Sequence, residues 1–202
     1  MRNTIVDVIN LSWPTVVIVV MIISIMRITY IIRSDRKSFH LYEELFNLMF
    51  IIYLLVLFQL VTNQDLAHGG TNLIPFREIL RYDLFSSAFM KQVVGNVLMF
   101  VPLGYFATHY CKLKGVVSIT IISLLSSSTI EIVQHFIGRS VDIDDVILNV
   151  LGGIIGFIVY KLLSKIESKL PKVLRKKWFY NLLSIIIIIL VGVYLAKTLW
   201  GM

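Results

Sequence analysis

Between Glu131 and Gly156 the chain reads E-I-V-Q-H-F-I-G-R-S-V-D-I-D-D-V-I-L-N-V-L-G-G-I-I-G. Glu131 and Gln134 close one apolar run, and Arg139, Asp142, Asp144 and Asp145 fill a short connector. Asn149 stands one helical turn into the next apolar run. Carboxylates, carboxamides and a guanidinium are groups that hold polar ligands, and a guanidinium can take two phosphate oxygens at once. Beside bilayer-length apolar sequence such groups are costly unless they pair or do a job. Four carboxylates against one Arg would leave the site net negative and repel phosphate. Phosphate binding therefore needs either a divalent cation on Glu131, Asp142 and Asp145 or carboxylates that are protonated or paired, and the cation is the preferred reading.

Spacing supplies some geometry. Glu131 and Gln134 are i, i+3 and share a helix face, as do Asp142 and Asp145, while Asp145 and Asn149 are i, i+4. If the two apolar runs pair as a hairpin, these groups meet in one polar cap at headgroup depth, with Arg139 within reach of either helix end. A plainer account competes with this one. An Asp ahead of an apolar helix is an ordinary N-cap. Arg139 would neutralise Asp142 or Asp145, and Asn149 would bond across to a neighbouring helix. Asp144 and His135 are read as scaffolding.

The surrounding chain is 57% hydrophobic and 15% charged. A soluble domain carries about 25% charged residues, so the composition predicts an all-α, polytopic membrane helix bundle. Runs long enough to span predict about six helices: Asn10–Ile32, Leu45–Val61, Ala88–Tyr110, Gly115–Ile137, Val146–Leu163 and Trp178–Leu199. Between the second and third, Ile79, Leu80 and Leu84 share a stripe beside Arg77, Arg81 and Asp83, which predicts a short amphipathic helix on the membrane surface. In the third span, Pro102 and Gly104 predict an interruption that turns Asn96 toward the cap. The hydroxyls of the fourth span and the Gly152/Gly156 spacing of the fifth predict close helix packing. The natural divisions are residues 1–48, a first span with a basic connector; 49–161, the membrane core; and 162–202, a basic linker with the last span.

The net charge of +7 does not imply nucleic acid, because the basic residues sit in short loops between apolar runs. Alternating the spans puts 12 Lys and Arg residues in one set of loops and 6 in the other. The basic-rich set is expected in the cytoplasm, with the cap and both termini outside. One cysteine, Cys111, excludes an internal disulfide, and neither a phosphate loop nor an H-E-x-x-H zinc motif is present. Three function classes remain. One is a membrane enzyme acting on a lipid-linked phosphate or pyrophosphate. The second recognises a lipid headgroup or envelope-targeting amphiphile without chemistry. The third is a small transporter or a purely structural cap.

At these residues the chain resembles the VanZ family. The pattern runs through N-L-I-P-F (Asn72 to Phe76), N-x-x-x-F-x-P-L-G (Asn96 to Gly104), E-x-x-Q (Glu131, Gln134) and R-S-x-D-I-D-D-x-x-x-N-x-x-G (Arg139 to Gly152). It covers roughly Met49 to Lys161, leaving the first and last spans outside. The resemblance implies a multi-pass protein of the bacterial plasma membrane, of Gram-positive type, associated with low-level resistance to the lipoglycopeptide teicoplanin. It implies membrane lipids and a lipoglycopeptide or lipid-linked envelope intermediate as partners. Asn72, Asn96, Glu131, Gln134, Arg139, Asp142, Asp145 and Asn149 are the candidate ligand-binding residues.

The side of the membrane is directly testable. A single Cys at Ser140, with Cys111→Ser, is expected to react with an impermeant maleimide on intact cells; labelling only after permeabilisation would invert the topology.

Overall fold

The computed structural model describes residues 18–19, 21–23, 25–26, 40–62, 71–136 and 140–200, with side chains as far as 190. The fold is all-α, and no strand occurs among the described residues. Helices α1 (Leu41–Val61, continuing to Thr62), α2 (Ser87–Cys111), α3 (Val116–Phe136) and α4 (Ile143–Lys169) are each long and apolar enough to cross a membrane. A further helix, α5, runs Lys177–Trp200. The first four correspond to the second through fifth expected spans, α5 covers the residues of the sixth, and most of the first, Asn10–Ile32, lies outside the described residues.

Residues 53–164 belong to one compact unit, and 15–52 with 165–202 to a second. In the second unit the Tyr42 backbone N–H donates to Asn181 Oδ1 (3.3 Å), and Tyr180 Oη donates to Glu167 (3.0 Å). All the chemistry discussed below lies in the first unit.

The core of that unit mixes apolar side chains such as Phe100, Phe106 and Phe157 with buried polar ones, and its outside is apolar. Ile119, Ser123, Ser127, Glu131 and Gln134 are buried in α3, a stripe at helical spacing. Val117, Ile121, Leu124, Leu125 and Ile132 on the other faces are exposed. In lipid, burying a Leu against a Leu gains little over leaving it against acyl chains, so helices associate through close backbone approach and hydrogen bonds instead. Glycines make that approach here. A Cβ on Gly104 of α2 would collide with the Gly153 carbonyl of α4. One on Gly152 would strike the Val97 carbonyl, one on Gly156 the Val101 carbonyl, and one on Gly153 the Ser123 hydroxyl of α3. The two helices thus touch backbone to backbone along four glycines, and α3 closes the third side.

Two expectations are corrected. The amphipathic helix over Ile79–Leu84 does not form, and the segment holds only a single 3-10 turn, Ile79–Arg81. Phe76 and Phe85 adopt left-handed backbone (φ 65° and 64°), which stops helical growth at both ends. The α2 helix continues through Pro102 from Gly95 to Cys111 rather than breaking there. Its irregularity lies earlier, in one π turn over Met90–Val94, immediately before Asn96. Gly104 serves close packing.

The glycine seam gives a sharp stability expectation. Gly104→Ala forces a methyl into the α4 backbone and should lower stability by about 1–3 kcal/mol, the usual cost of overpacking. Gly115→Ala adds its Cβ to open space and should change stability by less than about 0.5 kcal/mol. Thermal unfolding in detergent compares them; equal effects would mean that the seam does not govern packing.

Candidate functional site

The polar groups converge where α2 and α4 begin and α3 ends. The keystone is Asp144, which is 1% exposed. One of its carboxylate oxygens accepts the Phe76 N–H (2.5 Å), and the other accepts the N–H groups of Glu78 (2.8 Å) and Ile79 (3.2 Å). The left-handed Phe76 begins a concave run of N–H groups, a backbone nest that binds anions, and the chain fills it with its own carboxylate. Hydrogen bonds to a charged acceptor contribute roughly 1.5–3 kcal/mol each. That is enough to hold residues 76–79 in the irregular path that displaces the expected helix.

Asn72 docks the same loop from its other end. Its N–H donates to the Val141 carbonyl (2.9 Å) and its carbonyl accepts from the Ile143 N–H (3.0 Å), forming a short parallel bridge across Asp142. Asn72 Nδ2 donates to Asp142 Oδ1 (2.9 Å), and Asn72 Oδ1 accepts from the Ile74 N–H (3.3 Å). Asp142 also caps α4, accepting the Asp144 N–H (2.9 Å), while its own N–H donates to Glu131 Oε2 (3.1 Å). Asn96 Nδ2 donates to Asp145 Oδ1, joining α2 to α4. Asn149 Nδ2 donates to Ser127 Oγ (2.9 Å), joining α4 to α3. Gln134 is buried at the end of the α3 stripe.

These contacts frame a cleft of about 490 Å³. Asn72, Asp142, Asp144 and Asp145 contribute to its walls, and so do Arg77, Glu78, Arg81, Tyr82, Gln92 and Ser140. A second space of about 20 Å³ is lined by Asn96, Glu131, Gln134, Asp145 and Asn149. Asp145 and Gln92 border both. The candidate residues are therefore brought together in two groups: Asn72, Asp142 and Asp145 on the cleft, and Asn96, Glu131, Gln134, Asp145 and Asn149 around the smaller space. Arg139, expected to hold phosphate, lies outside the described residues.

Arg77 and Arg81 are cleft-lining cations that sequence reasoning assigned to a surface helix. Arg81 pairs with Glu78 (3.2 Å). The Arg77 guanidinium has no side-chain partner among the described residues. The N-L-I-P-F motif was the signal that pointed to this loop, since Arg77 follows it directly.

The expected metal set is not assembled. Among the described residues no three His, Cys, Asp or Glu side chains come together to hold a metal ion. Glu131 accepts a backbone N–H, Asp142 an amide and a backbone N–H, and Asp145 the Asn96 amide. Each of these carboxylates thus takes at least one neutral donor among the described residues.

A family model, VanZ/LLP1, matches residues 16–164. The chain belongs to the VanZ/LLP1 family. The match begins well before Met49, so the first apolar run, which the motifs left outside, is part of the family region. Neither the curated proteins nor the solved structures contain a match. Every contact of the cleft and of the smaller space falls inside the VanZ/LLP1 match.

Burial raises the Asp142 carboxyl above the ordinary carboxylate range, assisted by the charges of Asp144 and Glu78 and opposed by the hydrogen bonds from Asp144 N–H and Asn72. A raised carboxyl favours folding while protonated, and that contribution is lost as pH rises from the ordinary value of 3.8 through the raised one. Asp142→Asn keeps the Oδ1 acceptor without the charge. It should leave the purified protein at least as stable as the parent at pH 7, with the difference shrinking toward pH 4, as read by thermal unfolding across pH. A variant markedly less stable at neutral pH would show that the ionised carboxylate is required.

Proposed function

We propose that this cleft recognises the polar headgroup of an amphiphile in the outer leaflet, and that such recognition underlies the teicoplanin association of VanZ-like proteins. One observation carries the reading. The polar cleft shares its wall segment with Leu73, Ile74, Phe76, Leu80, Leu84 and Phe85, all strongly exposed. Exposed apolar side chains interleaved with Arg77 and Arg81 suit a segment seated at the boundary between acyl chains and headgroups. An amphiphile there would lay its apolar part along these residues and place its head in the cleft. Arg77 offers a guanidinium to a phosphate or carboxylate oxygen pair. Asp142, Asp145, Tyr82, Gln92 and Ser140 offer hydrogen-bonding partners to hydroxyls or amines. The outer leaflet follows from the bias of basic residues toward the opposite loops.

The test separates folding from recognition. Full-length parent, Arg77→Gln and Asp145→Asn are purified in nanodiscs of the host membrane's lipids, and bound amphiphiles are counted by native mass spectrometry. Loss of a charge-assisted contact worth about 1.5–3 kcal/mol corresponds to roughly 10- to 150-fold weaker binding. Arg77→Gln should unfold at the parent's temperature, retain far less bound amphiphile and lose teicoplanin protection in cells. Well-folded variants that retain the same amphiphiles and protect cells like the parent would reduce the cleft to scaffolding.

A further inference from the structure

Asn149 is 2% exposed, and among the described residues its Oδ1 has no hydrogen-bond partner. Its Nδ2 is held by Ser127 Oγ at 2.9 Å, which fixes the side chain and leaves the oxygen as the available atom. Buried polar atoms in folded proteins nearly always find a partner. Ser123 Oγ is also unpartnered, but it lies against Gly153 at the tightest point of the helix seam. Asn149 instead borders the space of about 20 Å³ beneath the cleft. A water needs about 10–15 Å³ of such volume and two to four polar partners. Gln92, Asn96, Glu131, Gln134 and Asp145 line the space with Asn149, and they supply carboxamide and carboxylate groups.

From this we infer that the small space is a binding subsite for a single hydrogen-bond donor the size of a water oxygen, received by Asn149 Oδ1. The subsite stands on the packing of α2, α3 and α4 and does not rest on the headgroup reading. Two sources can supply that donor. Solvent water can occupy the space as a permanent part of the fold. Alternatively, because Gln92 and Asp145 border both spaces, a hydroxyl of a molecule in the cleft can reach down into it. In either case Asn149 reads an O–H. Its amide is turned to do so by a serine of the neighbouring helix, which gives the hydroxyl-rich α3 a role beyond close packing.

The experiment uses the full chain in nanodiscs of two lipids. Phosphatidylglycerol carries headgroup hydroxyls; phosphatidylmethanol carries none. Each structure is determined at a resolution that shows ordered water. An isolated peak within hydrogen-bond reach of Asn149 Oδ1 in both lipids is expected if water is the source. Density continuous with the headgroup in phosphatidylglycerol alone is expected if a headgroup hydroxyl is the source. Either result supports the subsite. An empty space in both lipids, or Asn149 Oδ1 turned onto a protein donor, overturns it. Asn149→Leu, close in size but without an acceptor, should lose the peak; a peak that persists in that variant also overturns the assignment. Should the variant fail to fold, the two parent structures decide alone.

Discussion

Backbone contact between α2 and α4 is the constraint on which the rest of the unit depends. Gly104, Gly152 and Gly156 leave no room for a single methyl between the two helices, and Gly153 leaves none toward α3. In a bilayer this closeness substitutes for the hydrophobic drive that a soluble core would supply. It also fixes the register of the two helix ends. With the seam in place, Asn96 meets Asp145, and Asn149 meets Ser127 on α3. A half-turn slip along the seam would separate Asn96 from Asp145, and an unsatisfied polar group away from water costs several kcal/mol. Packing and polar pairing therefore specify the same arrangement.

The carboxylates divide the labour unevenly. Asp144 is consumed by structure: it ties the 76–79 backbone to the start of α4. Asp142 is partly consumed, capping α4 and docking Asn72 while still bordering the cleft. Asp145 sits between the cleft and the small space beneath it. Among the described residues, neutral amides and N–H groups hold Asp142 and Asp144, and the Asn96 amide reaches Asp145. Arg77 then stands at the cleft wall as a positive group that the loop itself does not neutralise. Anchored backbone beneath and a cation above with no side-chain partner among the described residues is an arrangement suited to recognition by preorganised groups.

Much of this was legible in the chain. Hydrophobic run length located α1 to α5 to within a few residues, because bilayer thickness sets a length that sequence can be measured against. The i, i+3 spacing of Glu131 and Gln134 placed both on one face of α3, which the structure buries. The Gly152/Gly156 spacing marked the seam, although the partner helix and the role of Gly104 needed coordinates. The loop was read less well. Ile79, Leu80 and Leu84 keep a helical stripe, but a tertiary contact from Asp144, 65 residues beyond Ile79, overrides it. Periodicity cannot register a carboxylate arriving from so far along the chain. The same long-range contact brings Arg77 and Arg81 onto the cleft. Counting carboxylates likewise does not show which of them gather, and among the described residues no three come together in one metal-holding group.

The central claim is that the cleft selects a headgroup, beyond the general contact with lipid that any apolar helix face makes. A photo-crosslinking residue placed at Tyr82, on the cleft wall, and in a separate variant at Leu125, on the exposed face of α3, measures this directly in native membranes. Mass spectrometry of the adducts should show one headgroup class strongly enriched at position 82, and the bulk lipid mixture at position 125. The same lipid distribution at both positions, or adducts at 125 alone, would contradict the account.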